Sequence, residues 1–156
     1  MSHGAEDVAR QANPWWSSPS ARPFGLPSNE RSQLQRLKGH LGVEGRALLV
    51  RGPRQVGKTT LLRQCARALL REGLPGPNLT YFDFSDERIP LGEISPRAVA
   101  DLRPPGFDID HPHVLLLDEI AKAKEWDRWL KQAVDARAHR IVATDSAAIL
   151  LREGGE

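Results

Sequence analysis

The sequence predicts an α/β fold, a parallel sheet flanked by helices, on three observations. Strand-length apolar runs recur at residues 46–51, 79–84, 113–117 and 140–144. Between them lie segments whose leucines, alanines and tryptophans fall at spacings of three and four. A glycine-rich turn joins the first run to the helical pattern that follows it. Strands that alternate with helices build parallel sheets, because a parallel pair needs a long crossover and a helix supplies it.

Residues 1–28 read as an irregular arm. Pro14, Pro19, Pro23 and Pro27 recur among Ser17, Ser18 and Ser20. Proline lacks an N–H and breaks both helix and sheet, so this segment is expected to be extended or disordered. The pair Trp15-Trp16 is expected to dock, either on the chain's own domain or on a partner. Residues 29–156 form the core domain. A helix over 29–41 places Leu34, Leu37 and Leu41 on one face and ends at Gly42 and Gly45. A second helix runs from Lys58 to about Glu72, stopped by Gly73 and Pro75. Pro77-Asn78 turns the chain into the second strand. A short helix over 96–102 ends before Pro104-Pro105-Gly106. A helix around 125–138 carries Trp126, Trp129, Leu130, Ala133 and Val134 on its apolar face. That face favours core packing for both tryptophans over base stacking. A further helix is expected to start over 147–151, and no internal repeat is present.

Bulk properties bound the class. At 156 residues, 40% hydrophobic and 27% charged, the chain suits about one soluble globular domain. No apolar run is long enough to span a membrane, and residues 1–20 hold no signal-peptide core, so the expected location is the cytoplasm, with no membrane contact. Cys65 stands alone, which excludes an internal disulfide, and its place on the helix reads as a small buried hydrophobe. Net charge is +2, with arginines spread along the chain rather than clustered. A solvated surface explains them better than a nucleic-acid interface.

The stretch 52–60 carries the chemistry. Gly52, Pro53, Arg54, Gln55, Val56, Gly57, Lys58, Thr59 and Thr60 fit G-x-x-x-x-G-K-[ST] between a strand and a helix. Glycines let the backbone curl round a phosphate, and the loop amides and the helix N-terminus face it. Lys58 is placed to meet the β/γ-phosphates, and Thr59 to offer a hydroxyl to Mg²⁺. A second constellation follows the third strand, which ends in LLLDEI. Asp118 would hold Mg²⁺ through water, and Glu119 would orient and deprotonate an attacking water. Thr144, with Ser146 as the lesser alternative, could reach the γ-phosphate or that water; otherwise it simply ends a strand. No N-K-x-D or D-x-x-G is present to suggest a GTPase, and no L-S-G-G-Q to suggest a transporter-type ATPase. Asp108, Asp110, His111 and His113 read as a loop rather than a metal site. Asp83, Asp86 and Glu87 read as a solvated turn after the second strand, with a place at the nucleotide edge of the sheet as the lesser alternative.

In order, GPRQVGKTTLL, YFDFSDERI, LLLDEI, EWDRWLKQAVD and IVATDSAAILL resemble the AAA+ class of P-loop ATPases. The closest likeness is to a prokaryotic group with GPR-x-VGKTTL and a tryptophan between LDEI and TGSS, some of which carry NPWW ahead of the module. The resemblance covers about residues 30–151. It implies an ASCE-type core with strand order 5-1-4-3-2, ATP and Mg²⁺ as ligands, and a sensor role for Thr144. It also assigns Gly57, Lys58, Thr59 and Thr60 to the nucleotide, Asp118 to the metal and Glu119 to the water. Asp145 stands where the family has Gly, and is expected to bring a carboxylate near the phosphates and weaken binding. The family continues past this point with a fifth strand and an arginine-bearing lid. The core is therefore expected to be incomplete at its C-terminus, leaving the first strand as an edge unless the arm, a second copy or another chain completes it.

Three functions follow as alternatives. The first is an ATP-binding domain that hydrolyses ATP in its complete or assembled form. The second is a truncated module that binds nucleotide or a partner and hydrolyses nothing. The third, a small-molecule kinase, is disfavoured by Glu119.

Overall fold

A computed structural model of the chain describes residues 4–23, 33–43, 46–52, 57–89 and 93–146. Four strands, β1 (Ala47–Arg51), β2 (Leu79–Asp83), β3 (Val114–Asp118) and β4 (Arg140–Asp145), form one sheet in the order β1-β4-β3-β2. All three pairings are parallel. This is the 1-4-3-2 part of the order that the resemblance implies. Every strand therefore points its carboxyl end the same way, which gathers Arg51, Asp83, Asp118 and Asp145 at one rim. Ligands of open α/β sheets bind at that rim.

Among the described residues, five α-helices flank the sheet: α1 (Ala5–Ala12), α2 (Gln33–Leu41), α3 (Lys58–Arg71), α4 (Pro96–Ala100) and α5 (Trp126–Ala136). Helix α3 lies against β3, α2 against α3, β1 and β4, and α5 against α4. β3 is buried at every position, as a central strand covered on both faces must be. Its Leu115, Leu116 and Leu117 join Phe82, Ile141 and Val142 in the core. β1 is half-buried along its apolar length, and among the described residues it pairs with β4 alone. Cys65 is fully buried in α3, as a core hydrophobe would be, and burial pushes its thiol up to about 12. Trp126 and Trp129 are half-buried against the core. The helix expected over 147–151 lies outside the described residues.

The N-terminal arm departs from the sequence expectation. Residues 5–12 form a helix, with Val8 and Ala9 buried and Glu6 paired to Arg10 one turn on. The prolines begin only at Pro14, after the helix has ended, so they shape its exit rather than forbid it. A 3-10 turn over Pro14–Trp16 then lays both tryptophans on the chain's own β2. Both indole Nε1–H groups donate to the Leu79 carbonyl, at 2.9 Å from Trp15 and 2.8 Å from Trp16. Asn13, fully buried, accepts from the Tyr81 N–H at 2.7 Å and donates to the Tyr81 carbonyl at 2.8 Å. The outer backbone groups of β2 are thus satisfied by side chains, which caps that edge of the sheet.

Candidate functional site

Helix α3 starts at Lys58 directly after Gly57, whose φ of 84° is left-handed and suits a residue without a β-carbon. This start sets Lys58 and Thr59 at the rim. Lys58 is buried, and its Nζ donates to the Gly52 carbonyl at 2.5 Å, so the lysine crosses from one end of the glycine-rich turn to the other. Pro53, Arg54, Gln55 and Val56 lie outside the described residues.

Asp118 is the centre of the cluster. Its carboxylate is 1% exposed, and it stays polar ground because three hydroxyls donate to it. Thr59 reaches Oδ2 at 2.7 Å, Tyr81 reaches Oδ2 at 2.8 Å, and Thr144 reaches Oδ1 at 2.6 Å. Buried charge is tolerable only with such partners. Thr144 acts twice, since its Oγ1 also accepts from the Glu119 N–H at 2.9 Å. Glu119 takes a left-handed φ of 53°, a conformation that costs a residue with a β-carbon. Its carboxylate accepts from the Ser146 hydroxyl, at 2.9 and 3.0 Å to its two oxygens.

A cleft of about 400 Å³ opens over these groups, lined by Gly57, Lys58, Thr59, Thr60, Asp83, Ser85, Asp118 and Glu119. A second cleft of about 440 Å³, between α4 and α5, carries Arg97, Lys124, Arg128 and Trp129. It is slightly larger, but it holds no buried carboxylate ringed by donors, so size does not decide between them. The donor set of the first, a threonine hydroxyl 2.7 Å from a carboxylate with a lysine beside them, consists of hard oxygens plus a cation. It fits Mg²⁺ carried by a phosphate chain.

The structure therefore brings Gly57, Lys58, Thr59, Thr60, Asp118 and Glu119 to one cleft, with Thr144 and Ser146 bonded to its two acids. Asp83 joins them. It stands in register with Asp118 on the neighbouring strand, and burial holds its carboxyl above the usual range although Ser85 donates to it twice. Of the expected solvated turn, Asp86 folds back on Arg88 and Glu87 is exposed, so only Asp83 belongs to the cleft. A strand-ending acid beside the third strand's acid was the signal for it. Tyr81 went unnoticed in the sequence. A tyrosine inside a buried strand needs a partner for its hydroxyl, and that need was its signal. Asp145 does not lie in the cleft lining. It is buried in register with Arg51, whose Nε stands 3.8 Å from its carboxylate.

Away from the cleft, Asp108 and His111 pair at 3.0 Å. No group of three or more metal-ligating side chains forms among the described residues. No helix among them is long and apolar enough to cross a membrane.

A parallel sheet of this order, with a glycine-led helix and a hydroxyl-ringed acid at its rim, defines a P-loop NTPase-like α/β domain. The chain belongs to the AAA domain family, whose model matches residues 44–156. It is also 35% identical over 112 residues to an uncharacterized protein of Methanocaldococcus jannaschii. That match takes in 68% of this chain and 22% of the relative, so the chain spans about a fifth of the curated relative's length.

Proposed function

We propose that the chain binds Mg·ATP in the cleft at 52–60 and serves as an AAA-type ATPase domain. The observation that carries the reading is the bond between Thr59, in the first turn after the glycine-rich loop, and the Asp118 carboxylate at the end of β3. Two segments far apart in sequence meet there with the oxygen donors that a metal–triphosphate needs.

Lys58 would exchange its bond to the Gly52 carbonyl for the β/γ-phosphates. Thr59 and Asp118 would hold Mg²⁺, the threonine by its hydroxyl and the acid through water. When bound, the ion neutralises charge on the phosphate oxygens. Glu119 would accept the proton of a water attacking the γ-phosphorus. The bond from that phosphorus to the bridging oxygen breaks, and ADP leaves with the electron pair. Thr144 would fix both acids, one by donating to its carboxylate and the other by holding its backbone N–H. Self-association would let a neighbouring copy supply an arginine, a contribution that can be worth ~10³–10⁵ in rate.

One observation favours a slower second reading, in which the chain by itself binds nucleotide without turnover. The Ser146 hydroxyl donates to the Glu119 carboxylate and so competes with an attacking water for its oxygens. Phosphate release by the parent chain and by Glu119→Gln separates the two. The ATPase reading predicts release that Glu119→Gln abolishes while nucleotide binding persists. Equal, negligible release with binding intact in both favours the binding module. Release that survives Glu119→Gln contradicts the assigned base.

A further inference from the structure

We propose that Tyr81 is the positioning residue for the Asp118 carboxylate, and that the docked N-terminal segment controls it through Asn13, so that docking of this segment and Mg²⁺-dependent nucleotide binding are coupled. The inference rests on the nucleotide reading above and deepens it.

The geometry runs through three residues. Tyr81 stands in register with Leu116 on β3. Partners across a parallel ladder share a face, and so do residues two apart on one strand. Tyr81 therefore lies on the face that carries Asp118, and its phenol spans the remaining step to reach Oδ2 at 2.8 Å. The ring is held from above by Arg63 of α3, whose guanidinium carbon lies 5.7 Å from its centroid. It is 6% exposed and borders a recess of about 210 Å³ whose walls include Trp15 and Ala12 of the N-terminal segment.

The other end of Tyr81 is clamped by Asn13. One amide side chain takes both the N–H and the C=O of Tyr81, as a neighbouring strand would. The same amide nitrogen also donates to the Ala9 carbonyl at 2.7 Å, which ties the clamp to the end of α1. Rotation of Asp118 is limited by Thr59, Thr144 and Tyr81 together. Of these, Thr59 is the one placed to share its oxygen with the metal, since a hydroxyl keeps lone pairs while it donates. Tyr81 and Thr144 donate without sharing in the metal, and aim the acid. A segment whose side chains set the strand that carries Tyr81 thereby acts on the metal acid from outside the cleft. Coupling of this kind is reciprocal, so bound Mg·nucleotide should in turn favour the docked segment.

Tyr81 is the single tyrosine of the chain, which gives a direct probe. Incorporation of 3-fluorotyrosine labels this side chain alone for ¹⁹F NMR. The resonance is expected to move on addition of saturating Mg²⁺ and a non-hydrolysable ATP analogue, and to differ in Asn13→Ala. In parallel, the affinity of a fluorescent ATP analogue is measured with Mg²⁺ and with EDTA. Tyr81→Phe keeps the ring under Arg63 but loses the donor. It is expected to cut the gain in affinity due to Mg²⁺ roughly tenfold while leaving the EDTA value unchanged. Asn13→Ala is expected to act in the same direction. A hydrogen bond of purely structural value would lower the thermal midpoint and leave the ratio of the two affinities alone. A parent-like ratio in Tyr81→Phe overturns the proposal. So does a ¹⁹F resonance indifferent to saturating Mg·nucleotide, a result that needs no variant to fold. Absence of any Mg²⁺-dependent binding by the parent overturns the nucleotide reading itself, and is distinct from both.

Discussion

Thr144 is where one hydroxyl has two duties. It donates to Asp118 and accepts from the Glu119 backbone, so a single rotor fixes the two acids proposed to serve the metal and the water. Valine keeps the shape and loses both bonds. Thr144→Val is expected to lower phosphate release by about tenfold or more, the worth of a hydrogen bond to a charged group. Thr144→Ser, which retains the hydroxyl, should stay within a few-fold of the parent; the assay is steady-state release at saturating Mg·ATP, and equal rates in all three proteins would contradict the assignment. His113 poses a different residue-scale question. It is buried, with its Nδ1 2.9 Å from that of His139, so one of the two rings must donate and the other accept. Burial first, then Arg103 and His139, depress its value to about 3. An unfolded histidine titrates near 6.5. Between those values the unfolded chain binds the extra proton, so acid favours unfolding. Stability is full above pH 6.5 and falls as the pH drops toward 3. Urea unfolding should show a loss of about 3 kcal/mol near pH 4.5 from this group, absent in His113→Asn. An identical acid dependence in the two proteins would sink that account.

At the scale of elements, the N-terminal segment and β2 behave as one unit. Gly76 precedes β2 in a short 3-10 turn, and a β-carbon there would meet the Trp15 carbonyl oxygen at 2.1 Å. No side-chain rotation relieves a clash with backbone. Gly76→Ala is expected to lift Trp15 and Trp16 off β2 and to cost about 1–3 kcal/mol, read as a lower thermal midpoint and red-shifted tryptophan emission. An unchanged midpoint and spectrum would show that the docking is not built this way. The same region marks what the sequence made legible and what it hid. Strands and helices with strong periodicity, such as β3 and α3, lie within a residue or two of their expected bounds. Helix α1 was hidden because proline density was averaged over 1–28, whereas the helix ends before the first proline. The tryptophans could be expected to dock, but their shared acceptor, the Leu79 carbonyl, is a property of the sheet edge and has no local signature.

Over the whole molecule, periodicity announced a parallel sheet but could not order its strands. The order β1-β4-β3-β2 was accessible only through resemblance, since it depends on which crossovers pass which face. Within the cleft, Lys58, Thr59, Asp118 and Glu119 were legible because loop and strand end each carry a dense local pattern. Asp83 showed only as an acid near a strand end, and Tyr81 not at all, because their places beside Asp118 arise from register with β3 rather than from neighbours in sequence. Asp145 shows the same limit in reverse. Its carboxylate, expected near the phosphates from its place after Thr144, stands in register with Arg51, a neighbour no local pattern announces. Everything functional in this account depends on the rim of the sheet gripping a triphosphate. Its most direct test is a calorimetric titration of Mg·ATP into the parent chain and into Lys58→Ala. Saturable one-to-one binding is expected for the parent, weakened at least about tenfold in the variant by loss of a charge-assisted contact to phosphate. No saturable heat with the parent, or equal affinity in the two proteins, would contradict it.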